Sequence, residues 1–192
     1  MAAVKKAKKR PTSSSKLTLR DLKLLRTLRR RGWKVRRVSR ARKLLPPTLA
    51  GRYPRVPAGV LRLLSALEAC VSPKETVWFL TAEDYARTDE TAFRWNEFEI
   101  MSLDSADGEP ELEAEIRSFW DGHLPVMLAV HSDYDYLAVR LSDGAVVHGY
   151  APEWESPGEV APSFAALLTA LEAEADAERD DGPFHIFVGS AS

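Results

Sequence analysis

The stretch HSDYDYLAVRLSDGAVVHGYAPEWE, residues 131–155, gathers residue types that can do chemistry. His131, Asp133 and Asp135 would share one face of an extended chain, because side chains alternate along a strand. Three such side chains could hold a divalent metal. The competing reading is stronger: Asp and Ser are favoured in strand connections, where they bond to their own backbone. His148 lies between apolar neighbours, where a lone histidine is more often structural than a general base. Neither His123, His131, His148 nor His185 has a Ser or Cys nucleophile at a known triad spacing. There is no Gly-rich phosphate loop and no His/Cys zinc pattern. Glu153 and Glu155 could pair as acid and base, but a solvated acidic loop places two carboxylates the same way. A hydrolase built on these residues therefore ranks last. No catalytic residue, metal or cofactor is expected.

The aromatic residues point elsewhere. Trp95 stands beside Glu97, Tyr134 between Asp133 and Asp135, and Trp154 between Glu153 and Glu155. Rings set among carboxylates suit a face for a basic protein partner, since rings supply buried area and carboxylates steer the encounter. Those eight residues are the expected partner-binding set. Tyr136 and Tyr150 either extend this face or merely pack on a sheet.

The elements that must position such a face can be read from periodicity. LPVMLAV (124–130), YLAVRL (136–141) and AVVHGY (145–150) predict three strands, the last two joined by the turn Ser142-Asp143-Gly144. Short connections make this an antiparallel meander. TVWFLT (76–81) predicts another strand, and PFHIFVG (183–189) a terminal one. Val60, Leu63, Leu64, Leu67, Cys70 and Val71 fall at helical spacing and predict one helix, with Cys70 buried and unreactive. Leu112, Ile116, Phe119 and Trp120 predict a second, and Phe164, Leu167, Leu168 and Leu171 a third. Residues 93–101 read as apolar and partly extended. Thr18 with Asp21, and Thr81 with Asp84, are helix-start signals. The sum is an α+β fold, a mainly antiparallel sheet flanked by helices.

Charge divides the chain. Residues 1–43 carry 18 Lys/Arg and one acid, Asp21; residues 44–192 carry 27 acids and 9 bases, a net of −18. The expectation is a basic, largely disordered arm over 1–43, fully disordered through 16, with one short helix striped by Leu22, Leu25 and Leu28. A folded body over 44–192 would follow the break at Pro46-Pro47, and removing the arm would leave the fold intact. The single cysteine, Cys70, fits a reducing compartment. No apolar run nears the ~20 residues of a membrane span, and no secretory h-region is evident. A cytoplasmic protein is expected.

The order of pieces in FWDGHLPVMLAVHSDYDYLAVRLSDGAVVHGYAPEWESPGEVAPSFAALLTAL, residues 119–171, resembles the C-terminal half of the SUKH superfamily. That group includes the fungal cell-wall-assembly regulator and many bacterial toxin-immunity proteins. The matching features are the polar turn with Asp133 and Tyr134, then YLAV, the DG turn, the acidic PEWE and VAPSF opening the last helix. The resemblance extends roughly over 53–175. The family's opening motif is absent, and the basic arm lies outside its pattern. The resemblance implies a non-enzymatic α+β domain that binds proteins, often neutralising a toxin effector such as a nuclease. An acidic body suits a partner with a basic surface. The rival expectation is a nucleic-acid-binding protein acting through residues 5–43, whose charge matches phosphate; such a run is equally a solvated extension.

Overall fold

An antiparallel strand wetted on one face alternates apolar with polar residues; LPVMLAV and YLAV do not alternate, so both of their faces must be covered. A computed structural model, which describes residues 16–40, 42–89, 93–130, 133–177 and 184–188, shows how. The chain runs α1 (Leu19–Arg30), β1 (Lys34–Arg37), α2 (Pro47–Arg52), α3 (Ala58–Leu64), β2 (Leu67–Val71), β3 (Val77–Phe79), α4 (Ala82–Ala86) and α5 (Glu97–Ser105). It continues α6 (Pro110–Gly122), β4 (His123–Ala129), β5 (Asp135–Arg140), β6 (Val146–Gly149), β7 (Gly158–Ala161), α7 (Phe164–Ala177) and α8 (His185–Val188). The fold is α+β. One seven-stranded sheet has the spatial order β1 to β7, every pair antiparallel.

Helices lie on both faces of the sheet. The ring of Tyr136 in β5 meets Phe98 of α5 and Trp120 of α6. The next residue, Leu137, pairs with His148, whose ring meets Phe187 of α8 on the other face. Behind α8 come α7 and, against it, α1. Nearly every residue of β4, β5 and β6 is buried as a result.

The boundary expected at Lys43 is not where the fold places one. Leu24 and Leu28 are wholly buried, and Trp33 and Val35 join the same core. The inward stripe of α1 is Asp21, Leu24, Leu25 and Leu28, not the Leu22-Leu25-Leu28 set, and Leu22 is exposed. The positions i, i+3, i+4 and i+7 make the broader face that a helix needs to pack. The basic residues that made this segment look like a tail find acids on α7: Lys23 bonds Glu172 at 2.9 Å and Arg30 bonds Asp176 at 2.7 Å. Thr18 and Asp21 form the full reciprocal cap, and Arg62 reaches Asp21 at 2.8 Å from α3. The disorder expected through residue 16 lies, but for Lys16, outside the described residues.

Four further expectations are corrected. The helix read over 60–71 stops at Leu64, and residues 67–71 are strand β2. A β-bulge explains the deception: Arg36 pairs with Ala69 but Arg37 with Leu67, so Glu68 is an extra residue. One extra residue puts Leu67 and Cys70, three apart, on one side and mimics helical spacing. Residues 97–105 are helix α5 rather than extended chain, with Glu97 bonding back to the Arg94 backbone at 3.1 Å. Residues 185–188 are the short helix α8 rather than a strand. Pro47, read as a breaker, instead opens α2, since a helix's first turn does not need its missing N–H. Among the described residues, no helix is long and apolar enough to cross a membrane.

Candidate partner-binding cleft

The eight expected binding residues do not form one face. Trp95 is buried, its ring edge-on to Tyr53 and tilted on Tyr85. Glu97, the first residue of α5, accepts from the Arg94 backbone N–H and pairs with the Arg94 guanidinium at 3.0 Å. Asp135 is 2% exposed and faces away from the others, its Oδ1 2.8 Å from Nε2 of His148. Trp154 is 6% exposed, stacked on Phe98 at 5.3 Å. Its neighbours in sequence part company: Glu153 is exposed, whereas Glu155 accepts a hydrogen bond from Trp120 Nε1 at 2.7 Å. Asp133 and Tyr134 lie exposed in the connection between β4 and β5. The expected ring of aromatics among acids is thus mostly core, because indoles are large enough to be worth more inside than on a rim.

What the fold does assemble is a cleft of about 680 Å³ between α5, α6 and the loop 150–156. Tyr134, Trp154 and Glu155 reach it from the expected set; Met101, Leu112 and Phe119 line it too, although the sequence marked none of them as a binding residue. Leu112 belongs to the apolar stripe of α6, yet remains 40% exposed at the mouth, as does Tyr134. Glu115, also exposed, adds a carboxylate to the wall. In the wall lies Ser102, 7% exposed, whose Oγ has no hydrogen-bond partner among the described residues.

Local chemistry fixes each wall. Arg52, at the end of α2, grips Glu99 of α5 through two hydrogen bonds of 2.9 and 2.6 Å and Asp121 of α6 at 2.6 Å. Burial opposes the Arg52 charge, but its bonds to Glu99 and Asp121 outweigh that and hold the guanidinium protonated. The loop side is tied to the sheet: Trp154 Nε1 donates to Tyr134 O at 2.9 Å, and Ala151 N donates to Asp133 O at 2.9 Å. These two bonds fix the turn while Tyr134 holds a left-handed φ of 55°. Tyr136 donates from below to Trp154 O at 2.5 Å, and burial keeps its hydroxyl protonated. Strain persists only where surrounding structure over-determines it.

The Asp135–His148 pair has two members of a hydrolytic triad, but the imidazole is walled by Phe187 at 5.4 Å and Tyr150 at 5.8 Å. Among the described residues, no hydroxyl or thiol bonds to it. Of the metal set read from the sequence, Asp133 is exposed and Asp135 buried on either side of the turn at Tyr134, and His131 lies outside the described residues. No three His, Cys, Asp or Glu among the described residues form a metal-holding group. Burial pushes the Cys70 thiol far up, which removes it as a nucleophile. Burial pushes the pKa of His123, which follows the end of α6, below the usual histidine value, and its ring is stacked on Phe119 at 4.1 Å.

Compared with known proteins, the chain matches no family model, no curated protein and no solved structure.

Proposed function

We propose that this chain is a non-enzymatic, cytoplasmic partner-binding domain of the toxin-immunity kind. In this reading it takes a basic segment of an effector, such as a nuclease, into the cleft between α5, α6 and the loop 150–156. One observation carries the reading. An open apolar cleft exposes Leu112 and Tyr134 at its mouth and has Glu115 and Glu155 in its walls. Exposed apolar side chains beside carboxylates are what a basic, amphipathic partner needs, the rings and aliphatics slowing departure and the acids speeding arrival. The net charge of −18 over residues 44–192 adds long-range attraction. The resemblance of residues 119–171 to SUKH immunity proteins supports the same class.

The test is to look for a toxin gene next to this chain's own and to measure surface plasmon resonance against the effector domain it encodes, with growth rescue in cells expressing that effector; a neighbourhood without such a gene counts against the reading. Glu115→Lys with Glu153→Lys should slow association and flatten its salt dependence. Leu112→Ala and Tyr134→Ala should each speed dissociation at least tenfold while leaving circular dichroism unchanged. Trp154→Ala is a poor probe, because the indole is part of the core. Binding that ignores all four substitutions moves the site elsewhere. Turnover of the effector, or of any nucleotide or ester offered, removes the non-enzymatic reading.

A further inference from the structure

The N-terminal basic segment is a built surface, and its charge is only partly used by the fold. Within residues 16–43, Lys23, Arg30, Lys34 and Arg36 pair with acids, and Arg29 donates to the Val35 carbonyl. Arg20, Arg26, Arg37, Arg40, Arg42 and Lys43 are exposed and have no acidic partner among the described residues. A groove of about 850 Å³ lies between the start of α1 and the chain leaving β1, walled by Lys16, Leu22, Arg29, Arg37 and Arg40 with no carboxylate among its lining residues. Folding a run of like charges costs repulsion, so retaining so many unneutralised arginines on an ordered surface calls for a counter-charge from outside.

We propose that this surface binds the phosphodiester backbone of nucleic acid, a role separate from the cleft. Three features favour that occupant. Five of the six unpaired cations named above are arginines, whose forked donors match phosphate oxygens in pairs. β1 is the edge strand of the sheet, but the Arg29 guanidinium takes the Val35 carbonyl at 3.0 and 3.3 Å, so an added peptide strand would have to displace it. A membrane surface would need a broad apolar face as well as charge. On α1 that face, Leu24, Leu25 and Leu28, is spent on the core, leaving only Leu19 and Leu22 outside. The β-bulge between β1 and β2 also bears on this surface: the register shifts between Arg36 and Arg37, and both are exposed. With no aromatic ring exposed among the described residues of the segment, binding is to the phosphate backbone and carries little sequence preference.

The experiment is fluorescence anisotropy of the full chain with a labelled 20-base-pair DNA duplex and a single-stranded RNA of equal length, from 50 to 200 mM salt. The comparison is Arg37→Ala/Arg40→Ala/Arg42→Ala against the wild-type chain, with Arg117→Ala as a control on the far helix α6. The triple variant should bind at least tenfold more weakly at 100 mM salt. The slope of its log Kd against log salt should flatten by about 0.9 for each phosphate no longer neutralised, nearly three in all on duplex DNA. Because these side chains have no acidic partner among the described residues, the variant's melting temperature should be unchanged; Arg20→Ala/Arg26→Ala on α1 gives an independent second reading. Wild-type affinity and slope in both variants overturn the proposal. So does capture by phosphatidylserine vesicles that outcompetes DNA and depends on the same arginines, which assigns the surface to a membrane. Loss of nucleic-acid binding in these variants with effector binding intact separates this surface from the cleft.

Discussion

Gly149 stands directly opposite Tyr136 in the β5–β6 ladder, and the phenol ring of Tyr136 lies across its Cα. A Cβ added at Gly149 would sit 2.5 Å from three atoms of that ring. The ring cannot retreat, since Trp120 and Phe98 pack on it and its hydroxyl is bonded to Trp154 O. Gly149→Ala should therefore destabilise the protein by about 2–3 kcal/mol, the upper range for over-packing. Urea unfolding measures it; a loss below roughly 0.5 kcal/mol would mean that the ring has room to move.

The segment before Lys43 is part of the core, so truncation there should be severe. Leu28 is fully buried in the core that α1 shares with α7, and Leu28→Ala should cost about 2–5 kcal/mol. Deleting residues 1–43 removes α1, β1 and Trp33 together and should leave no cooperative thermal transition. A truncated chain that melts within a few degrees of the full one would restore the arm-and-body division.

How far the sequence could be read follows from the range of each signal. The capping boxes at Thr18 and Thr81 and the turn at Gly144, with its φ of 83°, are set by residues within four positions, and these match. The strands β4 to β6 declare themselves because both faces are apolar. Failures came where distant partners decide. Nothing near Arg30 in sequence announces Asp176, so basic residues that neutralise α7 read as a solvated tail. The bulge at Glu68 is fixed by pairing with β1, so β2 passed for helix. The cleft was half legible: Tyr134, Trp154 and Glu155 stand out in the sequence, but Leu112 reads as one more member of the apolar stripe of α6 and carries no sign that it stays exposed at the cleft's mouth.

Asp21 should give the acid limb of stability a measurable step. It is wholly buried, and burial alone would raise its pKa; hydrogen bonds from Arg62 and from Thr18 outweigh this and hold the carboxyl below its usual range. A folded pKa below the unfolded one means the native state binds fewer protons in that interval, so stability rises with pH across it. The contribution is fully present above about pH 4, the unfolded Asp value, and is lost as pH falls through the folded pKa. Asp21→Asn should cost roughly 1–2 kcal/mol at pH 7, and the gap to wild type should narrow by pH 3. A gap that stays constant from pH 7 to 3 would show that the ionised carboxylate is not the stabilising form.

Among the described residues, two non-glycine positions hold a left-handed φ: Glu75 at 58° and Tyr134 at 55°. That conformation costs an L-residue roughly 1–2 kcal/mol, which glycine avoids. Glu75 is exposed in the β2–β3 turn, and its ion pair to Lys34 is long at 3.7 Å. Glu75→Gly should accordingly stabilise the protein by about 0.5–1 kcal/mol. Tyr134→Gly relieves the same strain but removes a ring that packs at 6.2 Å on both Phe93 and Phe98. The two effects oppose, so stability should change by less than about 1 kcal/mol. Binding should not be so forgiving. If the ring is held at the mouth of the cleft for a partner, Tyr134→Gly loses at least tenfold in affinity, about 1.4 kcal/mol, while Glu75→Gly loses nothing. Equal affinity in both variants, with both folded, would reduce Tyr134 to a strained turn residue that caps Phe98, and the recognition role would pass to Leu112 and the far wall of the cleft.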